Sequence, residues 1–390
     1  MKVAFFHDFP AYEDENNNFY SIGFPYSLWQ RYLEIFSHIT VGSRARNFEN
    51  QQEKFKKNLQ KSSGENVTFK PIYSYNSHKS YLTKHVTIRK EITDIIDNVE
   101  CVIVRLPSVI GNIAYKEARN RNKKVIVEMV ACPWDGLWNY GSLKTRIAAP
   151  IMFFKTRQNI KSAQNVIYVT NQFLQKRYPN EKNNIGCSDV EIANVTESIL
   201  NKKLNNNLDS SKVIKIGLMG NASNGFKGHD TALKAISLLN EKYSNIKLHL
   251  LGHGDSERLL HMIDQEKLGN NVVFDGIRKS GIGVWEWLDE MDIYVQPSLT
   301  EGMNRATIEA MSRACPVITT DVGGFPEIIR EDFIIQKRDY RLLAQKIDEL
   351  IIDRELYKNA CLYNYNKAGE FSKDSLDKTR EDFFKSCLYN

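Results

Sequence analysis

A short apolar run, a proline, a glycine turn and a helical pattern follow one another within residues 293–311. Residues 293–295 are typical of a buried strand, and Pro297 ends that strand because proline cannot donate to a sheet ladder. Beyond Gly302, small residues recur at four-residue spacing, at Ala306, Ala310 and Ala314. This spacing predicts a helix that packs close to a sheet. The stretch therefore predicts a strand, a tight turn and a helix.

A ligand site at the start of this helix follows from that prediction. In open α/β sheets, ligands bind beyond the carboxyl ends of strands, where the next helix presents free N–H groups and a partial positive charge. We expect an anion, most simply a phosphate, at residues 303–305, with Glu301 and Glu309 as acceptors for sugar hydroxyls. The alternative is a row of helix-surface ion pairs, because Glu301, Arg305 and Glu309 are spaced four residues apart.

Runs of β-type residues alternate with helical patterns along the rest of the chain, which is typical of an α/β protein with parallel, helix-flanked sheets. The predicted strands are residues 3–7, 67–72, 101–106, 124–130, 165–170 and 190–195, and then 213–220, 247–252, 272–276 and 333–336. A chain of 390 residues is too long for one ordinary core, so we expect two domains. A polar segment at residues 201–211 has the composition of a linker, which places the domains at residues 1–200 and 212–369.

Two basic segments could contact an anionic surface. Residues 144–163 predict an amphipathic helix that begins near Pro150. A cluster of basic side chains at 79–90 is interleaved with the tyrosines Tyr73, Tyr75 and Tyr81. Packing against the sheet and a solvated helix face are the common explanations for such patterns. Peripheral contact with an anionic membrane is the alternative. No nucleic-acid motif accompanies the charge, so a nucleic-acid partner is not expected.

The composition is that of a globular protein, with 42% hydrophobic and 26% charged residues and a modest formal net charge of +6. The six cysteines show no Cys-x-x-Cys spacing, so neither a zinc site nor a disulfide framework is expected. The amino terminus begins a strand at once, without a signal-peptide pattern, and no apolar run approaches the roughly 20 residues of a membrane span. We therefore expect a cytoplasmic protein, with peripheral attachment to the inner face of the cell membrane as an option.

Ordered motifs in the second half resemble those of the family-four retaining glycosyltransferases. They are GLMG at 217–220, KG at 227–228, LLGHG at 250–254, VFDG at 273–276, EG at 301–302 with Glu309, and the run 316–329. The resemblance covers residues 213–330 and is much looser in the first 200 residues. It implies the GT-B fold, in which two Rossmann-like domains face each other across a cleft. A carboxyl-terminal helix, here at residues 370–390, crosses back to the first domain in that fold.

The resemblance also implies an activity. The protein would move a sugar, with retention, from a nucleoside-diphosphate sugar (UDP- or GDP-linked) to a glycan or lipid-linked acceptor, without a metal or other cofactor. Glu301 would hold the donor sugar, Glu309 the ribose, and Lys227 the departing diphosphate. Loop and backbone contacts with the substrates are implied for Gly23, Gly220, Arg278, Gly302, Met303 and Asn304. By analogy with the family, the expected role is assembly of capsule or cell-envelope polysaccharide.

Two positions depart from the family pattern. Asn221 stands where an arginine usually follows the first glycine, and we expect Arg305 to supply the missing cation. Val130 or a neighbour stands where many members have a histidine, which leaves Glu128 as a candidate catalytic group at that strand end. These departures keep two alternatives open, a nucleotide-sugar epimerase of the same architecture and a non-catalytic partner of another transferase.

Overall fold

The computed structural model describes residues 1–73, 83–140, 142–192, 196–206, 208, 212–223 and 225–389. Part of the basic cluster predicted at 79–90, the end of the strand predicted at 190–195 and part of the linker predicted at 201–211 lie outside the described residues. By its internal contacts the chain divides into two compact units. The first comprises Met1–Trp134, Ile147–Cys187 and Asp377–Asn390, and the second comprises Asp135–Arg146 and Ser188–Leu376.

A mostly parallel sheet forms the centre of the first unit. Its strands are β1 (Lys2–Glu13), β2 (Phe19–Ser21), β3 (His38–Asn47), β4 (Gln60–Lys61), β5 (Val67–Phe69), β6 (Cys101–Leu106), β7 (Lys124–Met129), β8 (Asn165–Tyr168) and β9 (Asn183–Gly186). The parallel order is β5-β3-β1-β6-β7-β8-β9, and β2 and β4 pair antiparallel at the carboxyl end of β1. The helices between these strands are α1 (Tyr26–Leu33), α2 (Glu53–Lys56), α3 (His85–Ile96), α4 (Val109–Asn120), α5 (Pro133–Asn139), α6 (Leu143–Ser162) and α7 (Phe173–Arg177). Most of α5 and the start of α6, within Asp135–Arg146, belong to the second unit.

Three predictions for this half of the chain were wrong. Strand β1 does not end at residue 7 but continues to Glu13, because a register shift between Phe6 and Pro10 lets it follow β3 beyond the usual strand end. The last strand of the first sheet is β9 and not the strand predicted at 190–195, of which the described residues are 190–192, where Ile192 makes only an isolated bridge. An edge strand such as β9 needs no continuous apolar run and leaves little signal. Helix α6 begins at Leu143 and contains Pro150, instead of starting there.

The second unit contains a six-stranded parallel sheet whose strands, like those of the first, are connected by helices. Its strands are β10 (Ile214–Met219), β11 (Ile246–Leu251), β12 (Val272–Gly276), β13 (Ile293–Gln296), β14 (Val317–Thr320) and β15 (Ile334–Ile335). Its helices are α8 (Glu197–Leu204), α9 (His229–Asn240), α10 (Glu257–Gln265), α11 (Ile282–Glu290), α12 (Arg305–Ser312), α13 (Phe325–Ile328), α14 (Tyr340–Ile352) and α15 (Arg354–Ala368). The last helix, α16 (Lys373–Tyr389), begins in the second unit, but from Asp377 onward it belongs to the first. The predicted linker begins inside α8, where the buried ammonium of Lys203 donates to the carbonyls of Leu288 and Asp289. The domain boundaries stay predictions.

The strand order of the second sheet determines where a ligand can bind. The order is β12-β11-β10-β13-β14-β15, so the chain reverses direction across the sheet between β10 and β13. Residues 293–295 and Ala310 of α12 are fully buried, as the sequence predicts for a helix packed on a sheet. Ala314 is also fully buried, but it follows the end of α12 and does not continue the predicted helix stripe. Doubly wound sheets bind ligands in the crevice at the carboxyl edge where the order reverses. The loops after β10 and β13 meet at that edge.

Candidate active site

An ion pair between Lys227 and Glu301 lies at this edge of the second sheet. Lys227 ends a short 3₁₀ turn at Gly225–Lys227 after β10, and Glu301 follows β13. The Lys227 Nζ atom lies 2.8 Å and 3.0 Å from the two carboxylate oxygens of Glu301. The Glu301 side chain is only 8% exposed, and that of Lys227 is 29% exposed. The cation and the acceptor that the sequence analysis assigned to diphosphate and sugar are therefore direct neighbours.

A buried hydrogen-bond relay fixes Glu301 from the sheet side. Ser298 Oγ donates to Glu301 Oε1 at 2.6 Å, Gln296 Nε2 donates to Ser298 Oγ at 3.1 Å, and Tyr294 OH donates to Gln296 Oε1 at 2.6 Å. Because Ser298 Oγ accepts from the Gln296 amide, its own proton points to Glu301. Sequence reasoning missed this relay. The available signal was polar side chains at alternate positions of a buried strand, which place Tyr294 and Gln296 on one face.

The tip of helix α12 is partly capped and partly open. The Asn304 side chain accepts a hydrogen bond from the Thr307 N–H at 2.8 Å, as is usual for an asparagine at this position. Within the described residues, the backbone N–H groups of Arg305 and Ala306 make no hydrogen bond. The exposed Arg305 side chain makes no ion pair there either. Two N–H donors, the helix dipole and a guanidinium are thus available to an anion.

Glu309, two turns into α12, is a buried carboxylate without a partner in the described part of the chain. It is 6% exposed, and no described side chain donates a hydrogen bond to its carboxylate or pairs with it. Burial raises the pKa of this carboxyl, while the nearby Arg305 lowers it. The alternative of ion pairs along a helix surface does not describe this site, because Glu301 pairs with Lys227 and Glu309 is buried. A buried, unpaired acceptor suits a ligand that brings its own hydroxyl donors.

Two glycines hold the loops in place around the pair. A Cβ atom on Gly220 would lie 2.4 Å from Lys227 Cγ, so only glycine lets the lysine stem cross the end of β10. Gly323 has φ +57°, and a Cβ there would lie 2.4 Å from the Glu301 carbonyl oxygen. The following N–H, of Gly324, donates to the Gly302 carbonyl at 2.8 Å. The turn at Gly302 and the neighbouring Met303 are thereby fastened against residues 322–324.

The remaining predicted contacts of the second unit lie in loops at the same carboxyl edge. Asn221 Oδ1 accepts from the Ser223 N–H at 2.8 Å, and Asn221 Nδ2 lies 3.2 Å from His253 Nε2. The amide that replaces the family arginine is thus held by its own loop and by the loop after β11. Arg278 follows β12 and is exposed, and within the described residues its side chain makes no ion pair or hydrogen bond. It is free to meet a ligand but is not held in place.

Glu128 and Gly23 belong to the first unit. Both oxygens of the buried Glu128 are engaged, one by Tyr32 OH at 2.7 Å and the other by Arg105 Nη1 at 3.0 Å. These contacts give Glu128 a structural role in the core of that unit, and a catalytic role for it stays untested. Gly23 is exposed, with φ +81° and open space where a Cβ would be.

The first sheet has its own point of reversal, between β1 and β6, but the helix tip there is occupied. Asp8 accepts hydrogen bonds from the N–H groups of Val109 and Ile110 at the start of α4, at 2.5 Å and 3.0 Å. Burial raises the pKa of Asp8, and these two hydrogen bonds lower it. The chain's own carboxylate therefore fills the anion position of α4. Of these two equivalent helix tips, the one at α12 is left open.

The comparisons with known proteins agree with this geometry. Residues 213–353 match the model of the family described as glycosyl transferases group 1. Over 382 residues the chain is 34% identical to protein CapJ of Staphylococcus aureus, a match that covers 98% of this chain and 94% of that protein. The chain is a group 1 glycosyltransferase. The family-four type predicted from the sequence is thereby confirmed.

Further similarities of this glycosyltransferase concern parts of the chain or the fold alone. It is 28% identical over 167 residues to the capsular polysaccharide biosynthesis glycosyltransferase CapM of Staphylococcus aureus, covering 42% of this chain and 43% of CapM. Sucrose-phosphate synthase from Thermosynechococcus elongatus matches with a TM-score of 0.74 at 13% identity, covering 100% and 99% of the two chains. Anabaena HepE, in complex with UDP and glucose, matches with a TM-score of 0.68 at 15% identity, covering 99% and 100%. These likenesses confirm the predicted α/β class with two Rossmann-like domains, the GT-B fold.

The described residues contain no group of three or more histidine, cysteine, aspartate or glutamate side chains placed to hold a metal ion. In the same residues, none of the helices combines the length and apolar character needed to pass through a bilayer.

Proposed function

We propose that this glycosyltransferase moves a sugar, with retention of configuration, from a nucleoside-diphosphate sugar to a glycan or lipid-linked acceptor. The observation that carries the proposal is the open tip of α12 beside the Lys227–Glu301 pair, at the point where the second sheet reverses its strand order. Support for the donor class also comes from Anabaena HepE, whose structure contains UDP and glucose. The names of CapJ and CapM support a role in capsule or cell-envelope polysaccharide assembly.

The site residues would share the work of holding the donor and stabilising the leaving group. When the bond between sugar and diphosphate breaks, negative charge develops on the diphosphate. The N–H groups of Arg305 and Ala306, the Arg305 guanidinium and the Lys227 ammonium would stabilise that charge without a bound metal. Lys227 can do so while it keeps one contact with Glu301, because an ammonium has three donors.

The two carboxylates would accept hydrogen bonds from hydroxyl groups of the donor. Glu301, oriented by Ser298, would accept from the donor sugar. Glu309, which is buried and has no partner among the described side chains, would accept a hydrogen bond from the ribose. A uridine or guanosine diphosphate fits this arrangement equally well, since the contacts that we assign involve phosphate and sugar rather than base.

Binding and turnover can be tested on the purified chain with a panel of uridine, guanosine and adenosine diphosphate sugars. At 100 times Kd, a ligand that binds the native state raises its stability by about 2.7 kcal/mol, which a thermal-shift assay detects. We expect one nucleotide class to raise Tm, and acceptor-dependent release of the free diphosphate to follow. The anomeric configuration of the product, read by NMR, tests retention.

Matched variants link the result to the site. Arg305→Gln is expected to lower diphosphate affinity about tenfold, the effect of one charge-assisted hydrogen bond. Arg341→Gln removes another exposed arginine of the same unit and should leave affinity unchanged. Conversion of the donor into an epimer without any acceptor would point to the epimerase alternative. Nucleotide binding without acceptor-dependent release, across a broad acceptor panel, would point to a non-catalytic partner.

A further inference from the structure

Helix α6 carries a second apolar face that the fold does not use. Four large apolar side chains follow one another along it every three or four residues and are 75%, 60%, 63% and 60% exposed: Leu143, Ile147, Ile151 and Phe154. On the opposite side, Ala149 and Ile160 are fully buried. A helix that packs only on its own sheet needs one apolar stripe. The exposed row therefore calls for a second apolar partner.

The charged residues along this segment of the chain have one sign. Residues 136–180 contain seven lysine and arginine residues and no aspartate or glutamate. At about 3.6 residues per turn, Lys155 lies on one side of the row and Arg157 on the other, and Lys161 continues the row beyond Phe154. Long basic side chains placed in this way keep their charges at lipid headgroups while the apolar row enters the acyl boundary.

We propose that the α6 face, formed by Ile147, Ile151, Phe154, Arg157 and Lys161, docks on an anionic lipid bilayer. The row is straight and runs along about 20 Å of helix, which suits a flat surface. A second copy of the chain is a poor occupant, because a symmetric contact would bring two faces of the same positive charge together. The proposal goes beyond sugar transfer and does not depend on the donor site.

Flotation with vesicles tests this proposal. The full chain should bind vesicles of equimolar phosphatidylcholine and phosphatidylglycerol, bind phosphatidylcholine vesicles much less, and lose binding as salt is raised. The double variant Ile151→Glu/Phe154→Glu should lower partitioning about tenfold or more, because it removes two large apolar side chains and adds two repelled charges. Its matched control, Ile352→Glu/Leu362→Glu, changes two exposed apolar residues of the second unit and should bind like the parent.

Two further measurements keep the outcome decisive. Phe154→Trp should show fluorescence quenching by brominated lipids, which reports insertion without adding a charge and so does not depend on the glutamate variant folding. Nucleotide-induced shifts in Tm should be the same in Ile151→Glu/Phe154→Glu as in the parent, which separates this surface from the donor site. Equal binding of both double variants to anionic vesicles would overturn the proposal. So would light scattering that shows a dimer dispersed by Ile151→Glu/Phe154→Glu.

Discussion

Removing only one member of the Lys227–Glu301 ion pair should lower the free energy of unfolding, because the charge that remains loses its partner. In Lys227→Met, Glu301 keeps Ser298 as a donor but stays buried with an uncompensated charge. Removing one partner of a fully buried pair costs about 3–5 kcal/mol, and solvent reaches Lys227, so we expect about 1–2 kcal/mol here. Glu301→Gln should cost about 0.5–1 kcal/mol, because the amide oxygen still accepts from Ser298 and the freed ammonium can be hydrated.

The double variant Lys227→Met/Glu301→Gln separates the pair from its surroundings. It has no buried unpaired charge, so the two effects should not add, and we expect a coupling of about 1 kcal/mol. Urea unfolding gives the free energies, and hydrogen exchange in β10 and β13 assigns the change to the second unit. Effects that add to within about 0.3 kcal/mol would refute the reasoning. Additive effects would mean that the Lys227 and Glu301 side chains do not interact in the folded protein.

Three further predictions concern Glu309, Ser298 and Asp8. Because burial raises the Glu309 pKa above its ordinary 4.5, the free energy of unfolding should fall as pH rises through that raised pKa. Glu309→Gln should therefore be about 1 kcal/mol more stable than the parent at neutral pH, and this gain should be lost in acid. The same variant should bind nucleoside diphosphate more weakly. Equal urea midpoints at neutral pH would contradict this. Ser298→Ala removes a hydrogen bond to a carboxylate, so it should lower the free energy of unfolding by about 1.5–3 kcal/mol and also lower donor kcat/KM. Its control, Ser188→Ala, changes another buried serine and should leave donor kinetics unchanged. Equal losses of kcat/KM in the two variants would show that the Ser298 hydrogen bond does not support donor binding. Asp8→Ala leaves the Val109 and Ile110 N–H groups of α4 without their acceptor, although Ser108 still caps Gly111, and should cost about 0.5–2 kcal/mol without altering diphosphate affinity, as measured by calorimetry.

Much of the second unit was predictable because its signals are local. The strands at 214–219 and 293–296 coincide closely with the predicted runs, since buried parallel strands are continuous and apolar. The less buried edge strand at 272–276 also coincides with its predicted run. The start of α12 was placed near Met303 instead of Arg305, although an asparagine cap was present in the sequence. The positions of Glu301 and Glu309 relative to the helix followed from their spacing alone.

What the sequence could not reveal are contacts between residues far apart in the chain. Glu128 is bonded by Tyr32, which is 96 residues away, and Asp8 caps a helix 101 residues further on. Both partners depend on the order of strands in the sheet, which no local pattern encodes. The pairing of Lys227 with Glu301 likewise required β10 and β13 to be neighbours, although their loops are 74 residues apart.

The central claim is that the diphosphate binds at the tip of α12. A crystal structure of the chain with uridine or guanosine diphosphate tests it most directly. We expect a terminal phosphate oxygen about 3 Å from the backbone nitrogens of Arg305 and Ala306, with the Lys227 ammonium beside it. A nucleotide whose phosphates lie elsewhere, with both of those N–H groups still unbonded or with Asp8 displaced from α4 by phosphate, would contradict the account.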